Sequence, residues 1–436
     1  MILIFNTMML FVLIMAFPVV LPMILTSAKR RKTVLQRLAF SGLPGKRTGQ
    51  KGLPETDYPI WIHALSVGEA FSSIELVKTL RKMFAGRKIY FSVSTSTGFE
   101  EAKKRLTGTA DHIFFYPYDL IFVVRKVLRQ VSPSLFILVE SDIWPVFLLE
   151  LKKRNVPAVL VNARLSASSM VGYKRFSAIM LPVLNSFRKI CVQSEEQARR
   201  FVQIGVKPSK ISVTGNLKFD QKVSSTFGEN EGSMRSALAV SEDSRVFLAG
   251  STHSGEERML LHVFMQLRAD FPELLMVIVP RDPDRSDEIC RLVTGAGFTV
   301  NKMSRGESRV SDVVVVDIMG ILGKLYAIAD IAFVGGSLVD FGGHNPLEPA
   351  AFSKPVLFGP YMNDFPEISG MLLDAQGGIR VKNSEGLEKT LKNLLMNPVE
   401  AEKIGKNAFG VFQANQGAVD KTAAVIKSVD QYRHDY

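Results

Sequence analysis

The chain has 436 residues, 47% of them hydrophobic and 22% charged, a balance that suits two folded α/β domains and leaves little room for disorder. Its cysteines, Cys191 and Cys290, show no partner spacing, which argues against a disulfide framework and against a cysteine zinc site. The net charge is +12, yet residues 29–51 alone hold eight Lys/Arg and no acid. An excess concentrated in one segment, with only about +4 left for the rest, points to a membrane-proximal stretch rather than to nucleic acid.

Residues 1–28 carry no charge and are long enough to span or embed in a bilayer, with Pro18 and Pro22 as kinks. A cleaved signal peptide places its positive residues before the apolar core. Here they follow it, so the segment reads as an uncleaved anchor. The positive-inside bias then leaves the basic segment 29–51 and everything after it in the cytoplasm, beside anionic headgroups.

From residue 52 onward, short apolar runs alternate with amphipathic stretches. "IWIHAL", "KIYFSVS", "HIFFYP", "LFILVE", "AVLVNA", "KICVQ" and "KISVTG" read as parallel strands covered on both faces by helices. The polar stretch 221–233 breaks the pattern as a linker. A second series follows in "RVFLAG", "LLMVIVP", "VVVVD", "IAFVGG" and "PVLFG", and helical periodicity runs through the tail from about 384. The expected plan is an N-terminal Rossmann-like domain at 52–220 and a C-terminal one at 234–436 with terminal helices, the two facing a cleft. Ligands in such sheets bind beyond the carboxyl ends of the strands.

Residues able to do chemistry gather at those ends. Ser66 and Glu69 in "HALSVGEA" form a Ser-x-x-Glu pattern that reads equally as a capping box or as a general base on a glycine-relieved turn. Glu140 and Asp142 in "LVESDIWP" share one side by the two-residue strand period. Lys218 in "GNLKFD" is placed to meet a phosphate or to sit at the surface. In the second half, Ser251 and Thr252 of "GSTHSGEE" and the backbone around them offer a phosphate cradle, while His253 reads as packing, capping or ligand contact. Arg281 follows Pro280 at the end of a strand and suits bidentate grip on a phosphate or carboxylate. Asp317, Met319 and Gly320 follow the "VVVVD" strand. "FVGGSLVDFGGHNPLEPAA" adds two Gly-Gly pairs, then Asn345 as N-cap, Pro346 at the first helical position and Glu348 at the third. Its glycines suggest that backbone must approach something, with free N–H groups facing an anion. "GAGFTV" lacks the third glycine of a dinucleotide fingerprint, which speaks against a nicotinamide enzyme.

Taken in order, "WIHALSVGEA", "STSTG", "YPYD", "ESDIWP", "VNARLS", "GNLKFD", "GSTHSGEE", "VPRDPDR" and "FVGGSLVDFGGHNPLEPAA" closely resemble the 3-deoxy-D-manno-octulosonic acid (Kdo) transferases of lipopolysaccharide assembly. The resemblance implies a GT-B glycosyltransferase at the cytoplasmic face of a Gram-negative inner membrane. It would move Kdo from CMP-Kdo to the lipid A precursor (lipid IVA) with inversion. By position it places the proton acceptor on Glu69 and the transition-state stabilisers on Glu140 and Lys218. The CMP contacts fall on Pro280, Arg281, Met319, Gly320, Ile321, Asn345, Pro346, Leu347 and Glu348. The family usually reads Met-Gly-Glu-Leu where this chain has Ile321, and Glu-x-Glu where Asp142 stands second. The first difference removes a side-chain acceptor; the second shortens a carboxylate's reach. No cofactor and no metal are expected: a CMP-sugar has one phosphate, and Asp282 and Asp284 read as turn residues around Pro283 between Arg281 and Arg285. Two rivals stay open, a GT-B transferase or epimerase using a nucleotide-diphosphate sugar and an anchored nucleotide-binding protein without turnover.

Overall fold

The computed structural model describes residues 7, 26, 28–45, 58–140, 142–220, 231–238, 240–241, 244–305 and 311–431. The chain forms two units, Met1–Gln221 with Gln416–Tyr436, and Lys222–Asn415. The anchor expected at 1–28 lies almost wholly outside the described residues. Among those described, no helix is long and apolar enough to cross a membrane.

In the first unit, the seven apolar runs become β1 (Ile60–Ala64), β2 (Ile89–Val93), β3 (His112–Phe115), β4 (Leu135–Val139), β5 (Ala158–Ala163), β6 (Lys189–Val192) and β7 (Ile211–Val213). They pair in the order β3-β2-β1-β4-β5-β6-β7, all parallel. Alternation sends Ile60 and Ile62 to one core and Trp61 to the other, so each face of the sheet needs its own helical cover. The order reverses between β1 and β4, and a crevice opens at such a switch point.

Part of the basic segment is built into the first unit. Ala28–Arg37 is helical, and Arg37 donates from Nε to the Tyr116 carbonyl at 3.0 Å while its guanidinium lies over the Tyr118 ring. The last helix, Ala418–Gln431, packs on Val67–Met83 within the first unit. Assigning all of 234–436 to the second domain is therefore corrected at its end. Asp220 draws the chain back, accepting the N–H groups of Gly417 and Val419 at 2.7 and 2.5 Å. Of the expected linker, 221–230 lies outside the described residues and a helix, Glu231–Ala237, begins within the remainder.

The second unit holds β8 (Arg245–Thr252), β9 (Leu274–Pro280), β10 (Val300–Lys302), β11 (Val313–Val315), β12 (Ile331–Val334), β13 (Val356–Phe358) and β14 (Gly378–Arg380). Their order is β10-β11-β9-β8-β12-β13-β14, again parallel, with the switch between β8 and β12. The edge strands β10 and β14 were not among the expected runs. The tail is helical at Ser384–Met396 and Pro398–Ala414, as its periodicity suggested.

Candidate functional site

The polar residues singled out above lie at or just beyond the carboxyl ends of the strands. In the first unit, β1 runs through Leu65 and Ser66 into the helix Val67–Met83. Ser66 caps that helix by accepting the Glu69 N–H at 3.3 Å, and Glu69 Oε2 returns a bond by accepting the Leu65 N–H at 2.6 Å. The capping reading is thus realised, and it fixes the carboxyl without excluding chemistry. Glu69 is only 7% exposed. Burial first, and the neighbouring Glu140 charge second, push its pKa up to about 8 against the pull of those backbone bonds.

Glu140 follows β4 with a left-handed backbone, φ 62°, unusual for a residue with a side chain. Its Oε1 accepts from Asn162 Nδ2 at 3.1 Å. Asn162 is fully buried near the end of β5, also at positive φ, where the β5–β6 register shifts. Its Oδ1 accepts the Leu217 N–H at 3.0 Å, and its carbonyl accepts from Gln193 at 3.0 Å. The Lys218 N–H in turn bonds Asn216 Oδ1 at 3.0 Å. One buried amide therefore links Glu140 to the short turn, Leu217–Asp220, that carries Lys218.

Asp142 meets a residue that sequence reasoning missed. His63, fully buried in β1, brings Nε2 to 3.0 Å from Asp142 Oδ2 and stacks on Tyr116 at 3.8 Å. Ser92 Oγ lies 3.0 Å from His63 Nδ1 and accepts from Trp61 Nε1 at 2.7 Å. Nδ1 also lies 3.0 Å from the Ser92 carbonyl. The neutral tautomer with Nε2–H donating to Asp142 lets Nδ1 accept the Ser92 hydroxyl and leaves that carbonyl unserved by the ring, and burial depresses the His63 pKa against the pull of Asp142. The available signal was a histidine inside an otherwise apolar strand run.

The second unit corrects the reading of its glycines. The N–H groups of Gly336, Ser337 and Leu338 all donate to the Glu256 carboxylate, at 2.7, 3.0 and 3.0 Å, and the His253 N–H adds a fourth bond at 3.0 Å. The anion in this nest is the protein's own buried Glu256, not a nucleotide phosphate. The glycines serve close packing within the unit: a Cβ on Gly335 would strike the Ser251 carbonyl, one on Gly342 the Asp364 carboxylate, one on Gly343 the Met362 sulfur. Asn345 does accept the Leu347 N–H, at 3.2 Å. The helix, Leu347–Ala350, starts one residue later than expected, which leaves Pro346 as its cap and Glu348 at the second position.

Arg281 leaves the end of β9 with an exposed side chain and its N–H on the Thr252 carbonyl at 2.9 Å. Its charge reaches His253, His344 and Glu348 together. Burial pushes Glu348 up to about 7, with Arg281 and Asn345 opposing. Thr252 Oγ1 is buried with no hydrogen-bond partner among the described residues, and Ser251 sits at φ 57°. Met319, 65% exposed, Gly320 and Ile321 form the turn before Leu322–Leu325. No hydrogen bond among the described residues joins their side chains to Arg281. Asp282 behaves as a turn residue, accepting the Asp284 N–H at 3.1 Å, and Arg285 is held bidentately by Glu257 at 2.8 and 3.2 Å.

Residues 32–221 match the sequence model of the family described as 3-deoxy-D-manno-octulosonic-acid transferase (kdotransferase). The 3-deoxy-D-manno-octulosonic acid transferase of Haemophilus influenzae is 34% identical over 371 residues, covering 84% of this chain and 86% of that protein. This chain belongs to the Kdo transferase family. The family member from Chlamydophila psittaci is 32% identical over 422 residues, 94% of this chain and 93% of its own length. The chain is therefore an enzyme of Kdo transfer in lipopolysaccharide biosynthesis. Among solved structures, the UDP-GlcNAc 2-epimerase of Neisseria meningitidis bound to UDP-GlcNAc superposes with a TM-score of 0.59 at 15% identity, covering 85% of this chain and 99% of that one. That likeness shows the fold alone, two parallel-sheet α/β units of GT-B type.

Proposed function

We propose that this Kdo transferase uses CMP-Kdo as donor and the lipid A precursor (lipid IVA) as acceptor, inverting the anomeric carbon, at the cytoplasmic face of the inner membrane. The observation that carries the chemistry is Glu69, a capped, nearly buried carboxyl lifted to about 8. A carboxylate with so high a pKa takes the acceptor hydroxyl's proton more readily than an ordinary one. A single displacement by that hydroxyl inverts the centre and needs no enzyme nucleophile. Glu140, held by Asn162, supplies negative charge as the anomeric carbon becomes positive, and Lys218 balances the Kdo carboxylate or the departing phosphate.

In the second unit, Arg281 takes the phosphate and Glu348 the ribose hydroxyls. Pro280, Met319, Gly320, Ile321, Asn345, Pro346 and Leu347 line the nucleotide, and the Ser251 and Thr252 hydroxyls are further phosphate contacts. Of the two, Ser251 is the more accessible, since Thr252 is fully buried. Residues 1–28 serve as the anchor, and the Lys/Arg of 29–51 other than Arg37 meet anionic headgroups. Incubation with CMP-Kdo and lipid IVA, read by mass spectrometry, tests the whole reading: lipid gaining Kdo supports it, and unmodified lipid in the presence of folded enzyme refutes it.

A further inference from the structure

The rings of His253 and His344 meet edge to edge, Nε2 to Nε2 at 2.8 Å, with planes 7° apart. At that separation one nitrogen donates and the other accepts, so the contact holds one proton between two imidazoles. Space for the pair is built in. A Cβ on Gly336, at φ 68°, would stand 3.2 Å from Cδ2 of each ring, and Phe341 stacks on His253 at 4.2 Å. Neither Nδ1 has a hydrogen-bond partner among the described residues.

Several charges face the pair. Arg281, after β9, acts on both rings; Glu257 from the helix Glu256–Arg268 and Arg285 from the turn Pro283–Arg285 act on His253. Glu256 accepts the His253 N–H, and Glu348 stands within reach of Arg281. Burial first, then the Arg281 charge, hold both imidazoles below their ordinary value, His344 at about 4. The free pair is therefore uncharged at neutral pH.

We infer that His253 and His344 are a phosphate contact that takes up one proton when a phosphate monoester settles beside Arg281. The proton balance is simple. In the free pair, the donor ring carries its hydrogen on Nε2 and the acceptor ring on Nδ1. A dianion beside Arg281 offsets the charge that keeps the pair neutral, and one proton from solvent then occupies the donor ring's Nδ1. The product is an imidazolium hydrogen-bonded to an imidazole, with the imidazolium's Nδ1–H available to a phosphate oxygen and charge assistance in the shared bond. The identity of the monoester as CMP rests on the donor reading above.

Calorimetric titration of the full-length enzyme with CMP and with cytidine, at about pH 7.5 where the free monoester is mainly dianionic, separates the two claims. Each titration is run in two buffers of different ionisation enthalpy, which reports protons taken up. Wild type should prefer CMP over cytidine and take up a proton with CMP only. His344→Gln should abolish the uptake and weaken CMP about tenfold while leaving cytidine unchanged. His253→Gln gives the same test if His344→Gln fails to fold. A wild type that binds CMP no better than cytidine overturns the donor reading. A wild type that prefers CMP without proton uptake, or a variant that keeps wild-type uptake, overturns the histidine proposal alone.

Discussion

Asn162 grips Glu140: the amide donates to Oε1 at 3.1 Å while its oxygen receives the Leu217 N–H at 3.0 Å, all from a fully buried position. Asn162→Ala should therefore do two things. The Leu217 N–H loses its partner, which costs about 1–3 kcal/mol of stability, and Glu140 loses its fixed position. We expect kcat to fall about tenfold or more with little change in KM for CMP-Kdo. Steady-state kinetics beside thermal melting check this; a variant that melts early but turns over normally would confine Asn162 to a structural role.

The raised Glu69 carboxyl sets a pH limb. A base must be unprotonated to act, so kcat/KM should climb as pH rises toward about 8 and level off beyond it. Because Glu140 contributes to the rise, Glu140→Gln should move the limb of the residual activity to lower pH. An unmoved limb in that variant would mean that another group controls the profile.

Asp220 clasps the last helix to the first unit through the Gly417 and Val419 N–H groups, and Arg87 holds the other end through Asp430 at 2.6 Å. Asp220→Ala should lower stability by about 1–2 kcal/mol, the cost of a lost helix cap, and Asp220→Asn by less because an acceptor remains. Urea unfolding of the two variants gives the comparison; equal losses would point to charge rather than capping.

Exhaustive chelation should leave transfer activity intact. One phosphate offers no diphosphate pair to bridge, Asp282 is engaged with the Asp284 N–H, and Arg281 already brings positive charge. Activity that disappears with chelator and returns with magnesium would reopen Asp282 and Asp284 as ligands.

Much of this was legible in the chain itself, for a physical reason. A parallel strand buried on both faces must be apolar throughout, so "LFILVE" and "LLMVIVP" announce themselves, and the polar residues at their ends mark the crevice. Val300–Lys302 and Gly378–Arg380 escaped because each is a three-residue edge strand with little apolar run to see. Partnerships across the chain were equally hidden. Glu256 fills a nest made eighty residues later, so Gly336 looked poised for a nucleotide when its N–H already serves the protein's own carboxylate. His63 and Asn162 stood in the quoted strands, but only the neighbouring strand and turn reveal their tasks. The return of Ala418–Gln431 to the first unit depends on Asp220, a contact spanning nearly half the chain.

The central claim is that Glu69 takes the acceptor's proton, and the most direct measurement is transfer of Kdo from CMP-Kdo to lipid IVA by Glu69→Gln against wild type, with CMP affinity measured on the same preparations. Gln keeps an oxygen for the Leu65 N–H and so preserves the cap. We predict unchanged CMP affinity and a loss of turnover on the order of 10²-fold or more. Near-normal turnover in that variant would contradict the account and return Glu69 to capping alone.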